Sequence, residues 1–265
     1  MKKLFKLGVI GCGNMANAII SGAKDVLKNE KIVFFDTDYQ KAKDFADKFE
    51  GEIASDNAYV ANNSEYVLLA VKPQSFLNVS NELLGADYII SIMAGIKTST
   101  ILSSIPNLRG MVRIMPNAPA MVGKGMSALS FINSTENDMK FVLSIFNSIG
   151  KTVLVDENKL DAVTAISGSG PAYVYYFIKS MIDACVNLGL SFDESKLLTF
   201  QTFAGATEFA QNSSIELEKL IDMVCSKGGT TIEAINSFKN NNTAEIIDSA
   251  IKKCFNRSKE LSGDK

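Results

Sequence analysis

The sequence predicts an α/β doubly wound parallel sheet followed by an all-α domain, and three observations carry that prediction. Up to about residue 160, short apolar strands alternate with helical segments, the signature of a parallel sheet. Beyond that point no convincing strand occurs. At the change stands Ser167-Gly168-Ser169-Gly170-Pro171-Ala172-Tyr173, a run too small and too free to serve as core. It suits a hinge into a helix that passes close to a ligand or to another backbone. The chain has 265 residues with 46% hydrophobic, enough for two cores, and the expected division is 1–160 and 161–265.

The elements follow in order. Leu4–Ile10 is an apolar strand and Asn14–Leu27 has helical spacing. Lys31–Asp36 is a second strand, and Asp38–Phe49 a helix with a charged face. Tyr66–Val71 and Tyr88–Met93 are nearly unbroken apolar runs, as buried parallel strands require. Met111–Met115, Met126–Ser130 and Thr152–Val155 are later strands, with a helix at Glu136–Ile149. Helices are then expected at Asp161–Ala165, Ala172–Leu188, Asp193–Gln211, Ile215–Val224, Thr231–Lys239 and Ala244–Glu260. Ala172–Leu188 is apolar nearly all round, interrupted only by Lys179 and Asp183, so all its faces need cover. A helical half of about 100 residues struggles to bury it alone. The second domain is therefore expected to form a dimer interface.

Composition excludes several function classes. There is no histidine, so no Ser-His-Asp triad, Cys-His pair or histidine metal site exists. Cys12, Cys185, Cys225 and Cys254 form no CxxC pair, and neither a metal nor a disulfide framework is expected. A net charge of −2 gives no general attraction to nucleic acid or anionic membrane. No apolar run reaches transmembrane length. The start, Met1-Lys2-Lys3-Leu4-Phe5, lacks the apolar core of a signal peptide, so the expected location is cytoplasmic. An enzyme with this composition points to a cofactor that carries the hard chemistry.

Gly11-Cys12-Gly13-Asn14-Met15-Ala16 follows the first strand and opens the first helix, giving GxGxxA at Gly11, Gly13 and Ala16. The first glycine permits the turn, the second admits a pyrophosphate, and the small third residue lets helix and strand pack closely. The phosphates then lie at the helix N-terminus, beside Asn14 and Met15. Asp36, 23 positions beyond Gly13 at the end of the second strand, is placed to accept the ribose hydroxyls and to repel a 2′-phosphate. That favours NADH within an NAD(P)H reading. A tight turn for the glycines, and a capping role for Asp36, are the competing readings. Ala70, Val71, Lys72 and Pro73 leave the third strand where such sheets face their ligand crevice. Ala94 and Gly95, and Asn57, complete the candidate cofactor set. For Lys72 the rival is a solvated lysine; for Ala94-Gly95, a plain turn. Arg113-Ile114-Met115-Pro116-Asn117-Ala118-Pro119 is a rigid loop at a strand end, with or without a ligand.

GCGNMA, AVKP, RIMPNAP, DAVTAISGSGPAY and SKGGTT occur in one order along the chain. This order resembles the pyrroline-5-carboxylate reductase family along essentially the whole length. The resemblance implies a Rossmann domain, a helical dimerisation domain, a homodimer often assembled into larger rings, and NAD(P)H-dependent reduction of 1-pyrroline-5-carboxylate to L-proline. It also implies an active site that combines the nucleotide domain of one subunit with helices of its partner. Ser226–Thr231 has two glycines before a helix, a site able to hold a carboxylate on backbone N–H groups. The resemblance places the substrate carboxylate on Gly229, Thr230 and Thr231, with the Thr231 hydroxyl on the ring nitrogen. Ser169 joins the substrate set, and Lys72 stands beside Thr231 as a catalytic candidate. Without the resemblance, a helix cap is the simpler reading of the loop. Similar enzymes usually carry proline where this chain has Lys227.

Two rival readings differ from this one in what they require of the chain. A β-hydroxyacid dehydrogenase would need a catalytic lysine on the helix after the junction, where Lys179 is the only candidate. A silent dinucleotide sensor would bind the cofactor without turnover, against which the intact GGTT loop argues.

Overall fold

The structure, a computed structural model, describes residues 3–263. Met1 and Lys2, which open the segment read above as leaderless, lie outside them. Eight strands form one sheet: β1 (Phe5–Ile10), β2 (Ile32–Phe35), β3 (Glu52–Ile53), β4 (Ser64–Leu69), β5 (Tyr88–Ser91), β6 (Gly110–Met115), β7 (Gly125–Ile132) and β8 (Gly150–Leu154). Their order is β3-β2-β1-β4-β5-β6-β7-β8. The first six follow the 3-2-1-4-5-6 order of dinucleotide-binding sheets, with the chain reversing direction across the sheet between β1 and β4.

Helices cover both faces. On one side α1 (Asn14–Gly22), α2 (Lys24–Leu27) and α3 (Tyr39–Phe49) pack against inward residues such as Leu7, Val9, Phe34, Leu68 and Ile90. On the other, α4 (Asn57–Asn63), α5 (Phe76–Ser80) and α6 (Thr98–Ser104) cover Val33, Val67, Leu69, Ile89 and Met111. The alternation of Leu68 with Val67 and Leu69 sends neighbouring side chains to opposite cores, so strands buried on both faces read as unbroken apolar runs. α7 (Glu136–Asn147) closes the first face, its start fixed by a Thr135–Asp138 capping box.

The sheet departs from the expected parallel arrangement at one place. β7 pairs antiparallel with β6, and β8 pairs parallel with β7, so the last two strands run against the other six. The cause is the connection: Pro116–Lys124 holds only a 3₁₀ turn and is shorter than the dozen or so residues a parallel crossover needs. The first helix is also shorter than its apolar spacing suggests. It stops at Gly22, where a Cβ would lie 2.3 Å from Ile149 Cγ2, and restarts as α2.

After β8 come α8 (Leu160–Val163), a π-helical turn at Thr164–Gly168, and then α9 (Gly170–Asn187), α10 (Phe192–Asn212), α11 (Leu217–Val224), α12 (Thr230–Asn240) and α13 (Thr243–Leu261). The chain divides into two compact units. One runs through Ser169 and takes up the chain again from Cys254; the other is Gly170–Lys253. The packing division thus falls at Ser169, later than the expected 160/161, because Asp161 is tied into the first unit. Its Oδ1 accepts Ser258 Oγ at 2.6 Å and Ser262 Oγ at 3.0 Å, which also brings the last turns of α13 to that unit. In the second unit only Ile178 and Ile182 of α9 are buried, while Tyr176 is 70% exposed and Leu197 on α10 is 71% exposed. No helix among the described residues is long and apolar enough to cross a membrane.

Candidate active site

One candidate site lies where β1 and β4 part. Gly11 sits at φ +95, and a Cβ there would lie 2.8 Å from the Ala70 carbonyl oxygen and 3.0 Å from Val71 N. Only glycine fits, because the turn leaves β1 against the backbone leaving β4. At Gly13 a Cβ would meet nothing within 4 Å, so the outer side of the loop is open to a ligand. Gly13 also ends the turn: it precedes α1 with no side-chain cap and no acidic residue in the first turn. The N–H groups of Asn14, Met15 and Ala16 are therefore unspent at the positive end of the helix. Ala16 is fully buried against the sheet, the close packing that its size permits.

Asp36 closes this loop. Its Oδ2 accepts the Cys12 N–H at 2.8 Å and its Oδ1 the Asp38 N–H at 2.9 Å. Capping of α3 falls to Asp38, whose side chain accepts Gln40 N–H, so Asp36 is not that helix's cap. Each Asp36 oxygen keeps a lone pair for a further donor. Burial first, then the Asp36 charge, pushes the Cys12 thiol up to about 12, which keeps it protonated and inert. An uncapped helix end, an open glycine and a carboxylate at the strand end fit a dinucleotide.

The remaining cofactor candidates are distributed around the same edge. Asn57 opens α4 and is 7% exposed; its Nδ2 donates to Glu82 Oε2 at 3.1 Å, while its Oδ1 is buried with no partner. Ala70 continues the β1 ladder through its N–H to Ile10 O. Val71 and Pro73 are half-buried, and Lys72 is exposed ahead of a 3₁₀ turn that begins at Pro73. Gly95 has φ +74, and a Cβ there would meet Leu261 O at 3.3 Å. Its freedom serves a turn beneath the end of α13 as well as any ligand beside Ala94.

The glycine run at the junction is held from below. Ser169 N–H reaches Thr164 O at 2.9 Å across the π turn, a feature that recurs at functional sites. Asn117 fixes this turn: its Nδ2 donates to Ser167 O at 3.2 Å, and its Oδ1 accepts Met126 N–H at 2.9 Å. The two-proline loop is therefore a clamp on the Ser167–Ser169 backbone. Ser169 Oγ in turn accepts Cys254 Sγ–H at 3.3 Å.

A separate candidate lies in the helical unit. α12 begins at Thr230, one residue earlier than its spacing suggests, with Gly229 before it and no side-chain cap. Gly228 takes φ +73 to make the turn. Gly229 N–H is spent on Ser226 O at 3.0 Å, which leaves the N–H groups of Thr230 and Thr231 open. The Thr231 hydroxyl has no protein partner among the described residues and is half-buried. Lys227 is exposed. Lys179 is exposed on α9 and bound to Asp183 at 2.5 Å, an i,i+4 surface pair that offers nothing to a dehydrogenase.

One network was invisible in the sequence. Arg113, 6% exposed in mid-strand, donates to Glu157 Oε1 at 2.9 Å, and Glu157 also accepts Thr98 N–H at 2.7 Å and the Thr98 hydroxyl. Burial pushes Glu157 up, but the bonds from Thr98 and Arg113 outweigh it and hold the carboxyl below its usual range. A charge inside an otherwise apolar strand was the available signal. No cluster of Cys, Asp or Glu among the described residues is arranged to hold a metal.

Comparison with known proteins agrees with this geometry. Residues 157–261 match the family described as pyrroline-5-carboxylate reductase dimerisation, and residues 6–95 the one described as NADP oxidoreductase coenzyme F420-dependent. A pyrroline-5-carboxylate reductase of Haemophilus influenzae is 37% identical over 263 residues, covering 96% of this chain and 97% of its own. The solved pyrroline-5-carboxylate reductase of Coxiella burnetii superposes with a TM-score of 0.89 at 30% identity, over 98% of this chain and 99% of that one. That of Plasmodium falciparum, solved with NADP bound, gives 0.85 at 30% identity over 99% and 100%.

Proposed function

The chain belongs to the pyrroline-5-carboxylate reductase family, and from that premise we propose that it reduces the C=N bond of 1-pyrroline-5-carboxylate to give L-proline, drawing on NADH in preference to NADPH. The observation that carries the reading is a pair of uncapped helix N-termini, each preceded by glycine: α1 for a pyrophosphate, α12 for a carboxylate. A reduced nicotinamide dinucleotide, when bound, supplies the hydride.

Gly11, Gly13 and Ala16 shape the pyrophosphate bed, with Asn14 and Met15 donating their N–H groups. Asp36 receives the ribose hydroxyls and disfavours a 2′-phosphate by like-charge repulsion. Asn57 stands behind the same half of the cofactor, its oxygen sealed from solvent, and Ala70, Val71, Lys72, Pro73, Ala94 and Gly95 line its path. Thr230 and Thr231 hold the substrate carboxylate through backbone N–H groups, with Gly229 setting the turn. The Thr231 hydroxyl bonds the ring nitrogen, and Ser169 orients the ring. The imine arrives protonated, so the carbon gains hydride while nitrogen keeps its proton. No strong general acid is needed, which suits a chain without histidine. The protein's part is orientation, a source of roughly 7–11 kcal/mol of barrier lowering. The working form is a homodimer, assembled into a ring of dimers, in the cytoplasm.

Purified protein should oxidise NADH on addition of pyrroline-5-carboxylate; absence of turnover with either cofactor would refute the activity. Thr231→Ala should lower kcat/KM about tenfold or more, the worth of one hydrogen bond to a charged group, with the cofactor Kd unchanged. A loss of NADH binding instead would show that the α12 turn is misassigned.

A further inference from the structure

A cavity of about 500 Å³ lies within the first unit, lined by none of the residues assigned above to cofactor and substrate. Lys97, Arg113, Glu157, Asn158 and Asp161 line it, with Phe255 and Lys259 from the last turns of α13. Arg113 is the central feature. A guanidinium carries five N–H donors, and this one, more than nine-tenths buried, spends one on Glu157. Among the described residues Glu157 is its hydrogen-bond partner, and the guanidinium lines the cavity. A buried charge with unspent donors is costly unless something polar meets it.

Asp161 complements it. Its Oδ1 takes the hydroxyls of Ser258 and Ser262, while Oδ2 has no protein partner among the described residues. The wall thus offers a planar donor fork and an unspent carboxylate oxygen. Phe255 supplies an apolar surface, over which Lys259 Nζ sits 5.8 Å from the ring centroid. Two carboxylates stand among three cations in the lining, Lys97, Arg113 and Lys259, so both signs are present in the wall. A ligand that brings its own cation meets both signs. We propose that this cavity binds a small zwitterion, its carboxylate on the Arg113 fork, its ammonium on Asp161 and its aliphatic part on Phe255. The proposal goes beyond the catalytic reading and does not rest on it.

Such a ligand would join β6 to the end of α13. Leu261, at that end, lies against the Gly95 turn, so occupancy would steady a segment placed beside the cofactor.

The test is isothermal titration of the whole protein with L-valine, isovalerate, isobutylamine and inorganic phosphate. Isovalerate is valine without its ammonium, and isobutylamine is valine without its carboxylate. Valine should bind saturably at millimolar concentrations and raise Tm by mass action. Each truncated probe should bind about tenfold more weakly, and phosphate should not compete. Asp161→Asn keeps an oxygen for both serine hydroxyls but removes the charge, and should erase the advantage of valine over isovalerate. Phe255→Ala should weaken valine with the cavity charges intact. Thr231→Ala should bind valine like the wild type. No saturable binding, valine no better than isovalerate, phosphate in competition, or unaltered binding in Asp161→Asn would each overturn the site. Valine binding lost in Thr231→Ala would place the ligand on the catalytic loop and overturn it too. Turnover measured alongside keeps these outcomes separate from the fate of the reductase reading.

Discussion

Asp36 does structural work with both oxygens, and the proposed reading gives the same carboxylate the choice of cofactor. By accepting the Cys12 and Asp38 N–H groups it fixes the glycine turn and the start of the next helix. Its charge remains at the crevice, where an adenosine 2′-phosphate would add a second anion. Asp36→Ser should therefore narrow the NADH/NADPH ratio of kcat/KM by about tenfold, a change of about 1.4 kcal/mol. A ratio that does not move would leave Asp36 a purely structural residue. The substitution carries an internal control. Burial is the larger cause of the raised Cys12 pKa, so the thiol should fall below about 12 yet stay above its ordinary value. The residues that failed to show in the sequence are those whose partners are far along the chain. Asp161 meets Ser258 and Ser262 about a hundred positions away, and no local pattern marks such a bond.

At the scale of elements, the apolar runs of β1, β4 and β5 were legible because burial on both faces removes alternation. Gly11 was legible because the turn that leaves β1 against the end of β4 has no room for a Cβ. The reversal of β7 was not, since strand direction is set by the connection and not by the strand's own residues. α4 escaped because Asn57–Asn63 is only seven residues long, with asparagines at both ends that read equally well as a turn. The join of strand and helix at the other end of the sheet carries its own prediction. Asp138, 3% exposed, caps α7, accepts Tyr66 Oη at 2.7 Å and pairs with Arg109 at 2.5 Å. Burial pushes its carboxyl up, but the bonds from Arg109, Thr135 and Tyr66 outweigh it and hold the group well below the carboxylate range. A depressed folded-state pKa stabilises the fold fully above the unfolded value of about 3.9 and loses that contribution as pH falls toward the folded value. Asp138→Asn should cost about 3 kcal/mol at pH 7 in urea unfolding, the low end for a broken pair because Arg109 stays 34% exposed. The gap to wild type should shrink as pH drops below about 4. A constant gap across that range would mean that the amide fails for reasons of shape and not of charge. The Asn117 clamp is a second element-level device. Asn117→Ala leaves Met126 N–H and Ser167 O unpaired and should cost about 1–3 kcal/mol. Asn117→Asp restores the acceptor alone and should recover part of the loss; no recovery would show that the donor to Ser167 carries the whole effect.

The whole chain is short of cover for its helices. Tyr175, Tyr176, Phe177 and Met181 on α9 are 60%, 70%, 41% and 43% exposed, and Leu197 and Leu198 on α10 are 71% and 54% exposed. Isolated apolar residues on a surface are ordinary, but a continuous set on two packed helices marks an interface. A two-fold dimer brings the same patch together from both copies, so one substitution is felt twice. Met181→Glu would bury two unpaired carboxylates per dimer. The dissociation constant should rise on the order of a hundredfold or more, since each buried unpaired charge costs several kcal/mol. Lys179→Ala, on the same helix but in an exposed pair with Asp183, should leave assembly unchanged because surface pairs contribute little. Sedimentation velocity over a dilution series distinguishes these cases. Wild type should stay dimeric, with a Tm that falls on dilution, while Met181→Glu should sediment as a monomer with reduced turnover. A wild-type monomer at all concentrations, or a Met181→Glu dimer as tight as wild type, would show that these faces are covered in some other way.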